Sequence, residues 1–162
     1  MFVHALPDAT ATVAAGVSLA LLLKPGDAVA LVGDLGAGKT SLACGITTGL
    51  AAPVAATSPT FALVQRYDGG RLLVWHVDLY RLEHARELRE LGLDDFLGVA
   101  CGPSAGVALI EWADNFDVMP TDHLRIELAH AAGGRALTVR GTGPRGTALA
   151  TAWAAALGQG RP

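Results

Sequence analysis

Gly33-Asp34-Leu35-Gly36-Ala37-Gly38-Lys39-Thr40 is the stretch that decides the fold. It matches G-x-x-x-x-G-K-[ST] at every fixed position. The residues before it, Ala28 to Val32, form a short continuous apolar run of the kind found in a strand buried on both faces. Lys39 to Leu50 behind it suits a helix. A strand, a glycine loop and a helix in that order form a phosphate cradle. Glycines let the backbone curl so that successive N–H groups face one anion. The helix N-terminus adds its dipole and its unpaired N–H groups. Lys39 is placed to reach the β- and γ-phosphates as a point charge, and Thr40 to offer its hydroxyl to Mg²⁺. Asp34, Leu35, Gly36, Ala37, Gly38 and Ser41 complete the expected nucleotide contacts around them. The expected ligand is a purine nucleoside triphosphate with Mg²⁺.

Working outward, Asp8 or Thr10 caps a helix over about 10–23, which Pro25-Gly26 ends. Thr60 to Tyr67 and Arg71 to Val77 read as two strands joined by a tight turn at Asp68-Gly69-Gly70. Glu83 to Leu91 is an amphipathic helix, with Asp94 to Leu97 as an extension. Val107 to Ile110 is a second buried strand. Leu124 to Ala129 and Ala136 to Arg140 are strands linked through Gly133-Gly134, and Thr147 to Leu157 is a terminal helix. The predicted fold is a single three-layer α/β domain of P-loop NTPase-like type, its mixed sheet including an antiparallel hairpin. Its core spans about 8–141, and a C-terminal helix and tail follow over 142–162.

The 162 residues suffice for one domain with its own core. Half of the chain is hydrophobic (51%) and 17% is charged, which excludes a disordered or coiled-coil chain. The net charge of −3 argues against a protein that grips a nucleic-acid duplex unaided. Ten of the twelve basic residues are arginine, so Lys39 is one of only two lysines. Cys44 and Cys101 are too few and too far apart for a disulfide framework or a four-ligand zinc site. Mean hydropathy is +0.39, yet the longest uncharged stretch, Ala9 to Leu23, falls short of the roughly 20 residues that span a bilayer. No Lys or Arg precedes that stretch as a signal peptide would require. The expected location is the cytoplasm, with no membrane contact.

Phosphate chemistry needs an acid near Mg²⁺ and a group to orient the nucleophile. Asp78 ends the run Leu72 to Val77, and Glu111 ends the run Val107 to Ile110. A strand delivers each to the nucleotide edge of the sheet, and the second run resembles a Walker B strand. Spacing alone does not say which acid meets the metal and which orients water. Thr57-Ser58-Pro59-Thr60 is either a switch-like loop sensing the γ-phosphate or an ordinary Ser-Pro turn. His76 on its strand is expected to make a structural hydrogen bond. Trp112 serves either the core or a nucleotide or partner contact. Arg81 reads as a surface arginine that could reach phosphate.

Taken together, several segments resemble one family. The loop at 33–40, Ser58-Pro59-Thr60-Phe61, His76-Val77-Asp78-Leu79-Tyr80-Arg81, Leu91-Gly92-Leu93 and Leu109-Ile110-Glu111-Trp112 occur in the order seen in TsaE (YjeE-like), a small bacterial P-loop ATPase. The likeness runs from about Asp8 to Arg140, and the H-x-D-x-Y-R and I-E-W elements are its specific part. It implies slow ATP hydrolysis in support of threonylcarbamoylation of adenosine 37 in tRNA. It implies TsaB-like and TsaD-like partners, with transfer chemistry in the latter and tRNA reached only through the complex. By the same match Lys39 and Thr40 hold phosphate and Mg²⁺, and Thr60 belongs to a switch-like loop. Asp78 and Glu111 serve the metal and the hydrolytic water, and Trp112 sits beside the nucleotide.

Three other readings are weighed against this one. A small-molecule kinase of shikimate kinase-like type needs an acid soon after the loop helix to take the acceptor's proton, and Leu50 to Leu63 holds no carboxylate. A non-catalytic module would use ATP only to order an interface. A GTPase would need an N-K-x-D segment, and the only asparagine, Asn115, is followed by Phe116.

Overall fold

The computed structural model describes residues 1–57, 63–93, 97 and 106–159. Seven strands form one sheet: β1 (Phe2–Leu6), β2 (Ala28–Val32), β3 (Val64–Tyr67), β4 (Val74–Asp78), β5 (Val107–Glu111), β6 (His123–Ala131) and β7 (Gly134–Thr142). Four helices are described: α1 (Ala9–Ala20), α2 (Lys39–Gly49), α3 (Ala85–Glu90) and α4 (Gly143–Gln159). The strand order is β1-β7-β6-β2-β5-β4-β3. The four central strands, β6, β2, β5 and β4, run parallel, and antiparallel pairs close both sides. The sheet is therefore mixed, and it carries two hairpins.

Burial follows from this order. Every residue of β2 and β5 is buried, as continuous apolar runs in parallel strands require. One face carries Val29, Leu31, Leu109 and Ile126 against α1, α2 and α4. The other carries Ala30, Val77 and Ile110 against Leu88 of α3 and nearby loops. Helices on both faces make three layers of unequal weight. On the heavier side α1 and α2 almost touch. A Cβ on Gly45 would lie 2.1 Å from the Val13 carbonyl oxygen, so only glycine permits this approach. Trp153 of α4 is fully buried and donates its indole N–H to Ser18 Oγ at 2.9 Å.

Several boundaries differ from the sequence-based expectation, each for a local reason. β1 has no counterpart in that expectation. Phe2 to Ala5 alternate between half-buried and exposed positions, Leu6 is buried in the core, and β7 alone pairs with the strand. Helix α1 stops at Ala20, because Leu22 and Leu23 donate to Leu19 and Ala20 in a tightened last turn. Strand β4 begins at Val74, since Arg71 is engaged elsewhere. Its N–H meets the Leu50 carbonyl at 2.7 Å, and its guanidinium binds the Ala20 and Leu23 carbonyls at the end of α1. The parts of the expected strand at 60–62 and of the expected extension at 94–96 lie outside the described residues.

Helix α4 starts at Gly143, four residues before its expected start. Asp122, far back in the chain, accepts from the N–H groups of Arg145 (3.0 Å) and Gly146 (2.6 Å) and so caps it. These two hydrogen bonds hold the Asp122 carboxyl below its ordinary pKa. A carboxylate with a depressed folded pKa stabilises the fold above its unfolded pKa, and that stability is lost as pH falls through the folded value. Asp122→Ala is therefore expected to lower the thermal midpoint at pH 7. The gap to the parent protein should close below about pH 3.9, the usual aspartate value. A gap unchanged from pH 7 to pH 3 would contradict this role.

Candidate functional site

The loop at 33–40 leaves the C-terminal end of β2 and enters α2. Gly33 has φ 132°, and a Cβ there would strike the Leu128 carbonyl of β6 at 2.0 Å. Gly38, with φ 109°, starts the helix. The loop closes on its own lysine. Lys39 Nζ donates to the Gly33 carbonyl at 2.6 Å and the Asp34 carbonyl at 2.9 Å, and only 4% of Lys39 is exposed. Burial pushes its pKa down, and Glu111, Asp78, Asp114 and Asp34 only partly offset this.

Glu111 ends β5, the strand next to β2, in register with Leu31. Thr40 Oγ1 donates to its carboxylate at 3.0 and 3.3 Å. His76 Nε2 lies 2.9 Å from the same Oε1 atom. His76 is fully buried and its Nδ1 has no partner among the described residues, so Nε2 is the ring atom that meets the carboxylate. Asp78 ends β4 directly beside Glu111 in the parallel register. Its Oδ1 accepts from the Tyr80 N–H at 3.0 Å.

Trp112 follows Glu111 with φ 58°, a left-handed conformation that is costly for a bulky residue. A 2.9 Å bond from its N–H to the Leu31 carbonyl holds it there. The strained turn lays its ring over Lys39 Nζ, 3.9 Å from the centroid, with the Tyr80 ring 4.9 Å away.

Lys39, Thr40, Glu111, Asp78, Tyr80 and Trp112 line a cleft of about 250 Å³, together with Leu35, Gly36, Gly38, Ser41 and Arg135, and His76 lies buried behind Glu111. Asp34 and Ala37 belong to the loop but not to the lining. Asp34 is exposed and contributes its carbonyl to Lys39, while the Ala37 methyl points into the core. Thr60, with Ser58, Pro59 and Phe61, lies outside the described residues. Arg81 is exposed and does not line the cleft. His76, Tyr80 and Arg135 join the site without having been given a role in it from the sequence. His76 was legible only through its place two residues before Asp78; a lone arginine after Gly133-Gly134 gives no signal at all. A wider groove of about 580 Å³ between β1, α1 and the end of α4 has neither a carboxylate nor a lysine or arginine in its lining.

The donor set fits a hard cation. Thr40 and Glu111 offer oxygen atoms only, with Asp78 on the neighbouring strand. Among the described residues no three His, Cys, Asp or Glu side chains are gathered to hold a metal alone. Mg²⁺ is usually held by one or two carboxylates plus substrate phosphates, so the cleft matches its habits once a phosphate is present.

The strand, loop and helix make this an α/β protein of the P-loop nucleotide-binding class. A sequence profile of the family described as "Threonylcarbamoyl adenosine biosynthesis protein TsaE" matches residues 6–137. The chain belongs to the TsaE family. The tRNA threonylcarbamoyladenosine biosynthesis protein TsaE of Bacillus subtilis (strain 168) is 39% identical over 113 residues, covering 69% of this chain and 67% of that protein. The protein of the same name from Streptomyces coelicolor is 39% identical over 141 residues, 80% of this chain and 90% of that one. The crystal structure of Bacillus subtilis YdiB superposes with a TM-score of 0.73 at 31% identity, covering 95% of this chain and 93% of that one. The family ties the chain to tRNA threonylcarbamoyladenosine biosynthesis. No described helix is long and apolar enough to cross a membrane.

Proposed function

We propose that this chain binds ATP with Mg²⁺ in the cleft and hydrolyses it in support of threonylcarbamoylation of adenosine 37 in tRNA. It acts in the cytoplasm as the accessory ATPase of a transferase complex of TsaB-like and TsaD-like proteins, and it meets tRNA only through that complex. The observation that carries the reading is the Thr40 hydroxyl on the Glu111 carboxylate, next to a lysine already enclosed by its loop.

The loop N–H groups and Lys39 bind the phosphates. Thr40 and Glu111 hold Mg²⁺, which when bound neutralises charge on the terminal phosphates. The sheet order supports giving the two acids different roles. Glu111 stands one strand from β2 and touches Thr40, which suits the metal. Asp78 stands one strand further out and suits orienting the attacking water. His76 donates to Glu111 and fixes its rotamer. Trp112 and Tyr80 shield the lysine from solvent on the cleft side. With no acid in 50–63 to take an acceptor's proton, water is the acceptor that remains.

The deciding experiment measures Mg²⁺-dependent phosphate release by the protein alone, with the two partner proteins, and with tRNA added. Release that rises when the partners are added is expected. Rates indifferent to the partners, or rapid phosphorylation of a hydroxyl compound, would overturn the reading. A module that uses ATP only as a ligand would bind it and release no phosphate under any of these conditions.

A further inference from the structure

The buried side chains of β6 and β7, among them Leu124, Ile126, Leu137 and Val139, all join the cluster under α1, α2 and α4. The residues between them face the other way. The apolar cluster under α3 takes no residue from β6, β7 or β1. That half of the sheet is therefore uncovered on its second face among the described residues.

Two arginines stand on this face. Arg125 of β6 and Arg140 of β7 are direct cross-strand partners, so their side chains leave the sheet on the same side, with Cβ atoms about 5 Å apart. Like charges in that relation destabilise a sheet. No hydrogen bond or ion pair joins either guanidinium to another described residue. Other arginines of the chain are engaged: Arg145 with Asp27, Arg66 with Asp68, and Arg71 with the end of α1. Glu127 is the one acid on this face of the hairpin, and it is exposed and bonded to neither arginine. Around the pair the surface is flat and small, with Ala136 and Thr138 on β7 and Val3, 65% exposed, opposite Thr138. Arg125 is level with Ala30 in the middle of β2, and neither arginine lines the nucleotide cleft.

Two free guanidinium forks side by side call for two negative charges side by side. The net charge of −3 opposes the approach of a polyanion such as RNA. A protein segment can present carboxylates locally, and each fork binds a carboxylate in bidentate fashion. Arginine on a flat patch with an exposed apolar neighbour is also what protein interfaces favour. We propose that the outer face of β6 and β7 is a docking surface for an acidic segment of a partner protein, whose carboxylates lie across Arg125 and Arg140. The inference goes beyond the ATPase reading and rests on it only for the two partner proteins that serve as the probe.

The test is calorimetric titration of the intact protein with those two proteins together, at low and at high salt. The parent protein is compared with Arg140→Glu, with the double variant Arg125→Gln/Arg140→Gln, and with Arg89→Glu, the same charge change on α3. Melting curves and phosphate release without partners are recorded for each. Arg140→Glu turns a like-charge pair into an opposite-charge pair, so its melting temperature should hold or rise, by up to about 4 °C. Its phosphate release alone should equal the parent's, while its affinity for the partners falls at least about 10-fold. The glutamine variant should bind weakly too, and lose most of the salt dependence. Arg89→Glu should bind as the parent does. Parent affinity in Arg140→Glu, or an equal loss in Arg89→Glu, would overturn the surface. A lower melting temperature in both Arg140 variants would make the arginines part of the fold's stability and overturn it as well. Loss of tRNA binding with partner affinity intact would assign the face to nucleic acid instead. A parent protein that releases phosphate but binds neither partner would remove the partner half of the proposed function, and this inference with it.

Discussion

Glu111→Gln should reduce ATP turnover at least about 10²-fold while the protein stays folded and still binds nucleotide. Oε1 of Glu111 accepts from Thr40 Oγ1 at 3.0 Å and from His76 Nε2 at 2.9 Å. A glutamine can present a single carbonyl oxygen in that place and keep both hydrogen bonds. What it loses is the negative charge and the second oxygen, the features a hard dication needs. Glu111→Ala is the harsher variant. It leaves a buried imidazole N–H without an acceptor, at a cost of about 1–3 kcal/mol, on top of the same catalytic loss. Phosphate release read across an Mg²⁺ titration separates the two acids. Glu111→Gln should shift the Mg²⁺ requirement upward. Asp78→Asn should lower the rate at saturating Mg²⁺ without that shift. If Glu111→Gln hydrolyses ATP at the parent rate, Glu111 has no part in the chemistry.

The central part of this site was legible because it is local or ends a regular element. Eight consecutive residues encode the loop, and two acids stand where apolar runs stop. The seven-stranded order was not legible. Nothing in Phe2–Leu6 announces a strand, because an edge strand with one partner needs neither length nor a continuous apolar run. The start of α4 was hidden for a different reason. Gly143, Pro144 and Gly146 read as a loop until Asp122, brought up by the end of the preceding segment, satisfies the first amides. Arg71 shows the same effect in reverse. Its apolar neighbours Leu72 and Leu73 suggest a longer β4, but its own bonds to the end of α1 hold that segment out of the sheet. Arg135 was invisible because its meaning depends on which strands lie on which side of β2. That is a property of topology, and no window of sequence contains it.

Lys39→Met should abolish turnover, by at least about 10²-fold, and yet leave the melting temperature at or above that of the parent protein. The two halves of this expectation come from the same burial. The ammonium lies between the Gly33 and Asp34 carbonyls and under the Trp112 ring, largely out of water. Burial lowers its pKa, and the surrounding carboxylates only partly restore it. A base whose folded pKa lies below its unfolded value destabilises the fold in its charged form, so the native state bears a cost for keeping this charge. The left-handed backbone of Trp112, which sets the ring over the lysine, adds to that cost. A triphosphate entering the cleft supplies the counter-charge that the protein withholds, and a methionine of similar length cannot answer it. Lys39→Arg should fail as well, despite keeping the charge. A planar fork cannot replace a compact ammonium that sits 2.6 and 2.9 Å from two carbonyl oxygens of one tight loop. Melting curves and phosphate release on the two variants check both halves. A marked loss of stability in Lys39→Met would show that the lysine holds the loop together rather than waiting in it for phosphate.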